Sequence, residues 1–87
     1  MMNANDPAVD AKVVHIISQL VPVKAENIKP EHRLREDLGM DSVASMELLS
    51  MLAEELELDV GVEDVADVKT VGATIALARR FLAEKAA

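Results

Sequence analysis

LGMDSVASMELLSMLAEEL, residues 38–56, decides how this chain folds. From Ser42 onward Leu48, Leu49, Leu52 and Leu56 recur at helical spacing, while Glu47, Glu54 and Glu55 fall off that stripe. The pattern predicts an amphipathic helix over 42–56. Asp41 and Ser42 stand at its start, where a short oxygen-bearing side chain accepts hydrogen bonds from free backbone N–H groups. One such side chain suffices for that task, so the pair leaves one polar group to account for. Gly39, just upstream, supplies the turn into the helix.

The same periodicity reappears on both sides of this segment. Upstream, Asp6 and Pro7 give an N-cap and first-turn signal, and Val9, Val13, Ile16, Ile17 and Leu20 repeat until Pro22 stops the pattern. Downstream, Thr70 caps a last helix in which Val71, Ile75, Ala78 and Leu82 recur. Between these, EDVADV has room for one or two turns only. No segment reads as a strand. The expected fold is all-α, a small antiparallel bundle of three main helices plus one short helix, with a long loop between helices one and two. That loop, Pro22 to Asp41, has no periodic pattern, and a connection of such length needs pinning. Ile28, Leu34 and Leu38 are spaced to serve as its apolar anchors. Residues 1–5 read as a disordered N-terminus and 6–85 as one domain, because 87 residues leave no material for a second core.

Composition narrows the function. Hydrophobic residues make up 51%, yet the only aromatic is Phe81, so the core must be built from Leu, Val, Ile, Met and Ala. No cysteine is present, which removes disulfides and thiolate chemistry supplied by the chain itself. No apolar stretch approaches the roughly 20 residues of a membrane span. MMNAN, residues 1–5, lacks the basic and apolar regions of a signal peptide, so a cytoplasmic protein is expected.

The net charge of −7 conceals a sharper division. Between Glu36 and Val68 there are 11 acidic residues (Glu36, Asp37, Asp41, Glu47, Glu54, Glu55, Glu57, Asp59, Glu63, Asp64, Asp67) and no Lys or Arg. The remainder holds 5 acids against 9 bases. Such a one-sign field repels nucleic acid and anionic lipid and steers cationic partners toward it. From charge alone, an acidic surface kept for solubility fits equally well.

The chemistry-bearing residues argue against catalysis. A nucleophilic serine needs a base within hydrogen-bonding reach and donors for an oxyanion, and the G-x-S-x-G elbow is absent. His15 and His32, the only histidines, lie in different predicted elements with no acidic partner suggested by spacing. They have no metal-ligand spacing either. ELDVGVED, residues 57–64, lacks the alternating acidic pattern of a calcium loop and reads as solvated acid. No catalytic residue and no metal site are expected.

LREDLGMDSVASMELL, residues 34–49, resembles the attachment-site motif of acyl carrier proteins, in which an Asp-Ser pair follows Leu-Gly and one variable residue and precedes an apolar residue. The likeness extends to the family's acidic second helix (ELLSMLAEELEL), its short acidic third helix (VEDVADV) and the start of its last helix (KTV), covering about Val9 to Leu82. The resemblance implies that Ser42, with Asp41 as its motif neighbour, carries covalent 4'-phosphopantetheine. A phosphopantetheinyl transferase would transfer it from coenzyme A, and the thiol of that arm would hold acyl groups as thioesters for fatty acid, polyketide or a related dedicated pathway. The serine is then another enzyme's substrate, which explains the missing base, and the working thiol arrives with the cofactor. The resemblance also implies a monomer that presents Val43, Met46, Glu47, Met51 and Glu54 to acyl-loading and acyl-processing enzymes with basic docking patches. Ala44 and Val43 depart from the commoner acidic residue and leucine, Gly61 stands where proline is frequent, and Arg33 and Arg35 make the preceding loop unusually basic. These departures point to a dedicated carrier. Two other classes fit the residues: an aminoacyl or peptidyl carrier, whose second helix is usually less acidic, and a helical adaptor that takes no prosthetic group.

Overall fold

A computed structural model describes residues 4–86, so part of the segment expected to be disordered lies outside the described residues. Four α-helices follow in chain order: α1 Ala8–Ser18, α2 Ser42–Glu55, α3 Val62–Ala66 and α4 Val71–Ala86. Among the described residues there is no strand, and the fold is the expected small all-α bundle. α1 packs against both α4 and α2, and α3 lies against α2.

Each helix begins where its residues can satisfy free N–H groups. Asp6 Oδ1 accepts from Ala8 N at 2.9 Å, although Pro7 rather than Asp6 is the residue at the helix boundary. Thr70 Oγ1 accepts from Ala73 N at 3.0 Å. Asp64 Oδ2 accepts from Gly61 N at 2.9 Å while Gly61 O accepts from Asp64 N, which closes α3 on itself. Helix ends differ from the periodic reading in two places. α1 stops at Ser18, whose hydroxyl donates to His15 O, and Leu20 belongs to the following turn rather than to the helix. At the end of α2, Glu57 adopts φ +53° and Leu58 N bonds Ala53 O at 3.1 Å. This left-handed cap carries no glycine, so no residue type announces it.

The core is aliphatic, as composition required. Val9, Val13, Ile16 and Ile17 from α1 meet Leu48 and Leu52 from α2 and Val71, Ile75, Ala78 and Leu82 from α4. Thr74 is buried among them, its hydroxyl donating to Thr70 O. Leu49, expected on the buried stripe, is only half-buried and faces a groove described below. Ion pairs tie the helices at their rims: Lys12 to Glu55 at 2.8 Å, Arg80 to Asp64 at 3.8 Å, and Arg79 to Asp10. Exposed pairs of this kind contribute little each.

The long loop is pinned twice. Ile28, Leu34 and Leu38 are buried as expected, and Met40 joins them. Its backbone is also tied to the start of α4: Leu34 N bonds Lys69 O at 2.9 Å, Val71 N bonds His32 O at 3.0 Å and Gly72 N bonds Pro30 O at 2.8 Å. Within the loop, Asp37 Oδ2 accepts from Arg33 N at 2.7 Å and from its guanidinium. Those donors hold the Asp37 carboxyl below its ordinary pKa. Gly39 takes φ +75°, the turn that leads into α2.

Gly72 tests the tie. A Cβ at that position would stand 3.2 Å from Pro30 O, a backbone atom with little freedom to move. We expect Gly72→Val to lower stability by about 1–3 kcal/mol through overpacking, measured by urea unfolding. Amide exchange of Leu34 and Val71 should accelerate with it. Unchanged exchange at both would mean the loop is held by its apolar anchors alone.

Candidate functional site

The site forms where the pinned loop meets α2. Gly39 reverses the chain, Met40 plugs into the core, and the next two residues emerge at the first turn of α2. Asp41 is the N-cap: its Oδ1 accepts from Ala44 N at 2.8 Å, and its carbonyl accepts from Ser45 N and from the Ser45 hydroxyl, each at 3.0 Å. The capping task belongs to Asp41 alone. Ser42 is exposed, and among the described residues its hydroxyl has no hydrogen-bond partner. That is the polar group the sequence left to account for.

No base stands on this hydroxyl. His15 Nε2 lies 2.9 Å from Gln19 Nε2, and His32 Nδ1 accepts from Lys29 N at 3.0 Å. Among the described residues, no group of three or more His, Cys, Asp or Glu side chains is arranged to hold a metal ion.

Ser42 lies on the wall of a groove of about 420 Å³ between α2, α3 and the loop. Met40, Met46, Leu49, Val62, Val65 and Val68 give it apolar walls. The groove exists because α3 is only five residues long with one buried side chain, Val65, and the chain's single aromatic, Phe81, does not reach into it. Three charged residues also line it, Arg35, Glu36 and Lys69. Periodicity singled out neither Arg35 nor Lys69 as site residues; the unusual basicity of the loop was the only sign of the first.

On the outer face of α2, four of the residues expected to dock partners come together. Val43, Met46, Glu47 and Met51, with Ser50, line a shallow cleft of about 320 Å³. Val43 and Met46 are 64% and 51% exposed, high values for large apolar side chains, whereas Met51 is half-buried against the core. Glu54 is exposed one turn on from Ser50 and does not line the cleft. Partners sort the acids of this half. Glu36 and Asp37 are bound to Arg33, Asp41 caps α2, Glu55 pairs with Lys12 and Asp64 with Arg80. Among the described residues the Glu47 and Glu54 carboxylates have no partner, which leaves their charge facing solvent.

The model of a family described as "phosphopantetheine attachment site" matches residues 11–78, a span that runs from within α1 to within α4 and contains the whole site.

The separation of roles between neighbours predicts unequal substitution effects. Asp41→Ala should cost about 1 kcal/mol of stability, the usual loss for an N-cap. Ser42→Ala should stay within about 0.5 kcal/mol of the parent, as surface changes do. Urea midpoints of the two variants, compared at constant slope, decide it; equal losses would show that the serine shares the cap.

Proposed function

The chain belongs to the phosphopantetheine attachment-site family, and on that premise we propose that it is an acyl carrier protein. It carries covalent 4'-phosphopantetheine. In this reading the arm is joined to Ser42, residues 6–85 act as one carrier domain, and the protein works as a cytoplasmic monomer without chemistry of its own. No helix of the described residues is long and apolar enough to cross a membrane. When bound, the prosthetic group supplies a thiol that holds the cargo as a thioester.

The observation that carries the reading is the exposed, unpartnered Ser42 hydroxyl on the wall of an apolar groove. A transferase must reach the hydroxyl and supply the base that the chain lacks, and an exposed first-turn position gives that access. An acyl chain needs apolar surface, and the groove offers it within reach of the same residue. An aminoacyl or peptidyl cargo would make less use of apolar walls, and an adaptor would have no use for a free hydroxyl beside them. The acidic outer face supports weak, fast docking: unpaired Glu47 and Glu54 steer cationic partners, and exposed Val43 and Met46 give a small apolar contact. Met side chains adapt to more than one partner, which suits a carrier visiting several enzymes. The pathway served is a dedicated one in this reading, with fatty acid or polyketide cargo.

Incubation with a phosphopantetheinyl transferase, magnesium and coenzyme A should add one 4'-phosphopantetheine to the intact mass of the parent and none to Ser42→Ala. Mass gained by the alanine variant would place the arm elsewhere.

Glu47→Lys, and Glu54→Lys to a lesser degree, should slow association with the transferase while leaving dissociation nearly unchanged. The loss should shrink as salt rises, because exposed charges are screened beyond about 8 Å at physiological ionic strength. Rates equal to the parent at low salt would reduce the acidic face to a solubility device.

Acyl chains should enter the groove. Each buried methylene contributes up to about 0.8 kcal/mol, so several carbons can offset displacement of a helix as short as α3. Leu49, Val65 and Val68 line the groove, whereas Leu52 is already fully buried and Val60 lies outside it. Methyl shifts at Leu49, Val65 and Val68 should therefore grow with chain length across a series of loaded forms. Shifts confined to Ser42 and its neighbours would leave the chain in solvent.

A further inference from the structure

Among the described residues, Arg35 and Lys69 are the only cations lining the Ser42 groove, and they flank the stretch where the chain is most acidic. Arg35 lies one residue before Glu36 and two before Asp37, yet among the described residues it pairs with neither. Both of those carboxylates are engaged by Arg33 instead, Asp37 by two hydrogen bonds and Glu36 at 3.8 Å. Lys69 is likewise exposed, without a side-chain partner among the described residues. Its backbone is fixed all the same, because Lys69 O accepts from Leu34 N at 2.9 Å. Arg35, next in sequence to Leu34, and Lys69 both line the groove that Ser42 also lines. Two free cations thus border the attachment point of a group that brings an anion with it.

We propose that Arg35 and Lys69 form the subsite for the phosphodiester of the prosthetic arm and hold it on the groove side of Ser42. The inference rests on Ser42 as the attachment residue. The phosphodiester bears one negative charge and is fixed within a bond of the serine oxygen, so it cannot leave this neighbourhood. Without counter-charge it would sit among Asp41, Glu36 and the other acids of this half, where like charges repel it. The guanidinium of Arg35 offers paired donors to phosphate oxygens and Lys69 a mobile point charge. Their position selects a direction. Met46 borders both the groove and the outer cleft, and an arm leaving Ser42 can run over either side. Cations on the groove side favour the path into the groove and keep the arm off the docking face formed by Val43, Glu47 and Met51. The hold is an exposed one, screened by salt, so it orients the arm between partners and yields when an enzyme draws the arm out.

Nuclear magnetic resonance on the whole chain tests this without any measure of activity. In the parent, the Arg35 Nε signal should shift between the apo and holo forms, and the shift should fade as sodium chloride is raised. The phosphorus line of the holo form should be broad, as for a group tumbling with the protein. In Arg35→Gln and Lys69→Gln it should narrow toward that of free phosphopantetheine, while Lys24→Gln, which removes an exposed cation away from the groove, should leave it broad. Intact mass and peptide mapping of each holo sample fix where the arm is. An arm mapped to a residue other than Ser42 defeats the carrier reading at that serine and this inference with it. An arm on Ser42 with an unmoved Arg35 signal, or with equal phosphorus widths in all three variants, overturns the subsite alone. The parent measurement needs no variant, so slow loading of Arg35→Gln leaves the test intact.

Discussion

Three backbone hydrogen bonds between residues 30–34 of the loop and 69–72 at the start of α4 hold the functional half of this molecule in place. A loop this long carries many polar backbone groups, and those that lie against a core must find partners or lose the free energy of desolvation. The chain solves this by pairing Leu34 with Lys69, Val71 with His32 and Gly72 with Pro30, so the loop is stitched to an element far away in sequence. Everything downstream follows from that anchoring. Leu34, Leu38 and Met40 enter the core at fixed points, Gly39 reverses the chain between the last two, and Asp41 arrives at the helix boundary in the extended conformation an N-cap requires. The same bonds carry Lys69 to the groove. A loop held only by apolar anchors would leave Ser42 to wander relative to α3.

Asp41 and Ser42 show how adjacent residues of similar capping ability divide a site. The carboxylate closes the helix and is thereby immobilised, while the hydroxyl one position later points to solvent with nothing to hold it. Free hydroxyls on a surface are ordinary. This one differs in its setting, on the wall of a groove, beside two unpaired cations and at the edge of a face whose Glu47 and Glu54 are also unpaired. The acids paired within the fold and those that face outward are different residues, so the outward charge can change without loosening the bundle.

The sequence made much of this legible. Helix spacing located α1, α2 and α4 because their core-facing residues are strictly periodic, and the loop anchors Ile28, Leu34 and Leu38 were visible as isolated apolar residues in a polar stretch. Helix ends were less so: Leu20 kept the apolar rhythm past the last helical hydrogen bond, and the left-handed Glu57 has no glycine to announce it. Leu49 sits on the periodic stripe but faces the groove, because α3 is too short to cover it. The motif around Ser42 was readable as a string of residues. Its neighbours across the loop–α4 tie were not, since pairing between Leu34 and Lys69 leaves no periodic trace.

α3 is where these demands meet. Its five residues bury one side chain, Val65, and are kept helical chiefly by the reciprocal bonds between Gly61 and Asp64 and by the Asp64–Arg80 ion pair at 3.8 Å. Gly61 lies in ordinary extended backbone at φ −95°, so its role is that of a small N-cap rather than of a strained hinge. A longer or better-buried α3 would close the groove and stabilise the bundle, at the expense of room beside Ser42. A shorter one would leave Leu49 still more open. With so little buried, α3 is the element expected to open first while α1, α2 and α4 stay packed. The aliphatic lining of the groove, which Phe81 does not join, acts in the same direction, since branched and flexible aliphatics refill a space of changing size more readily than a ring does.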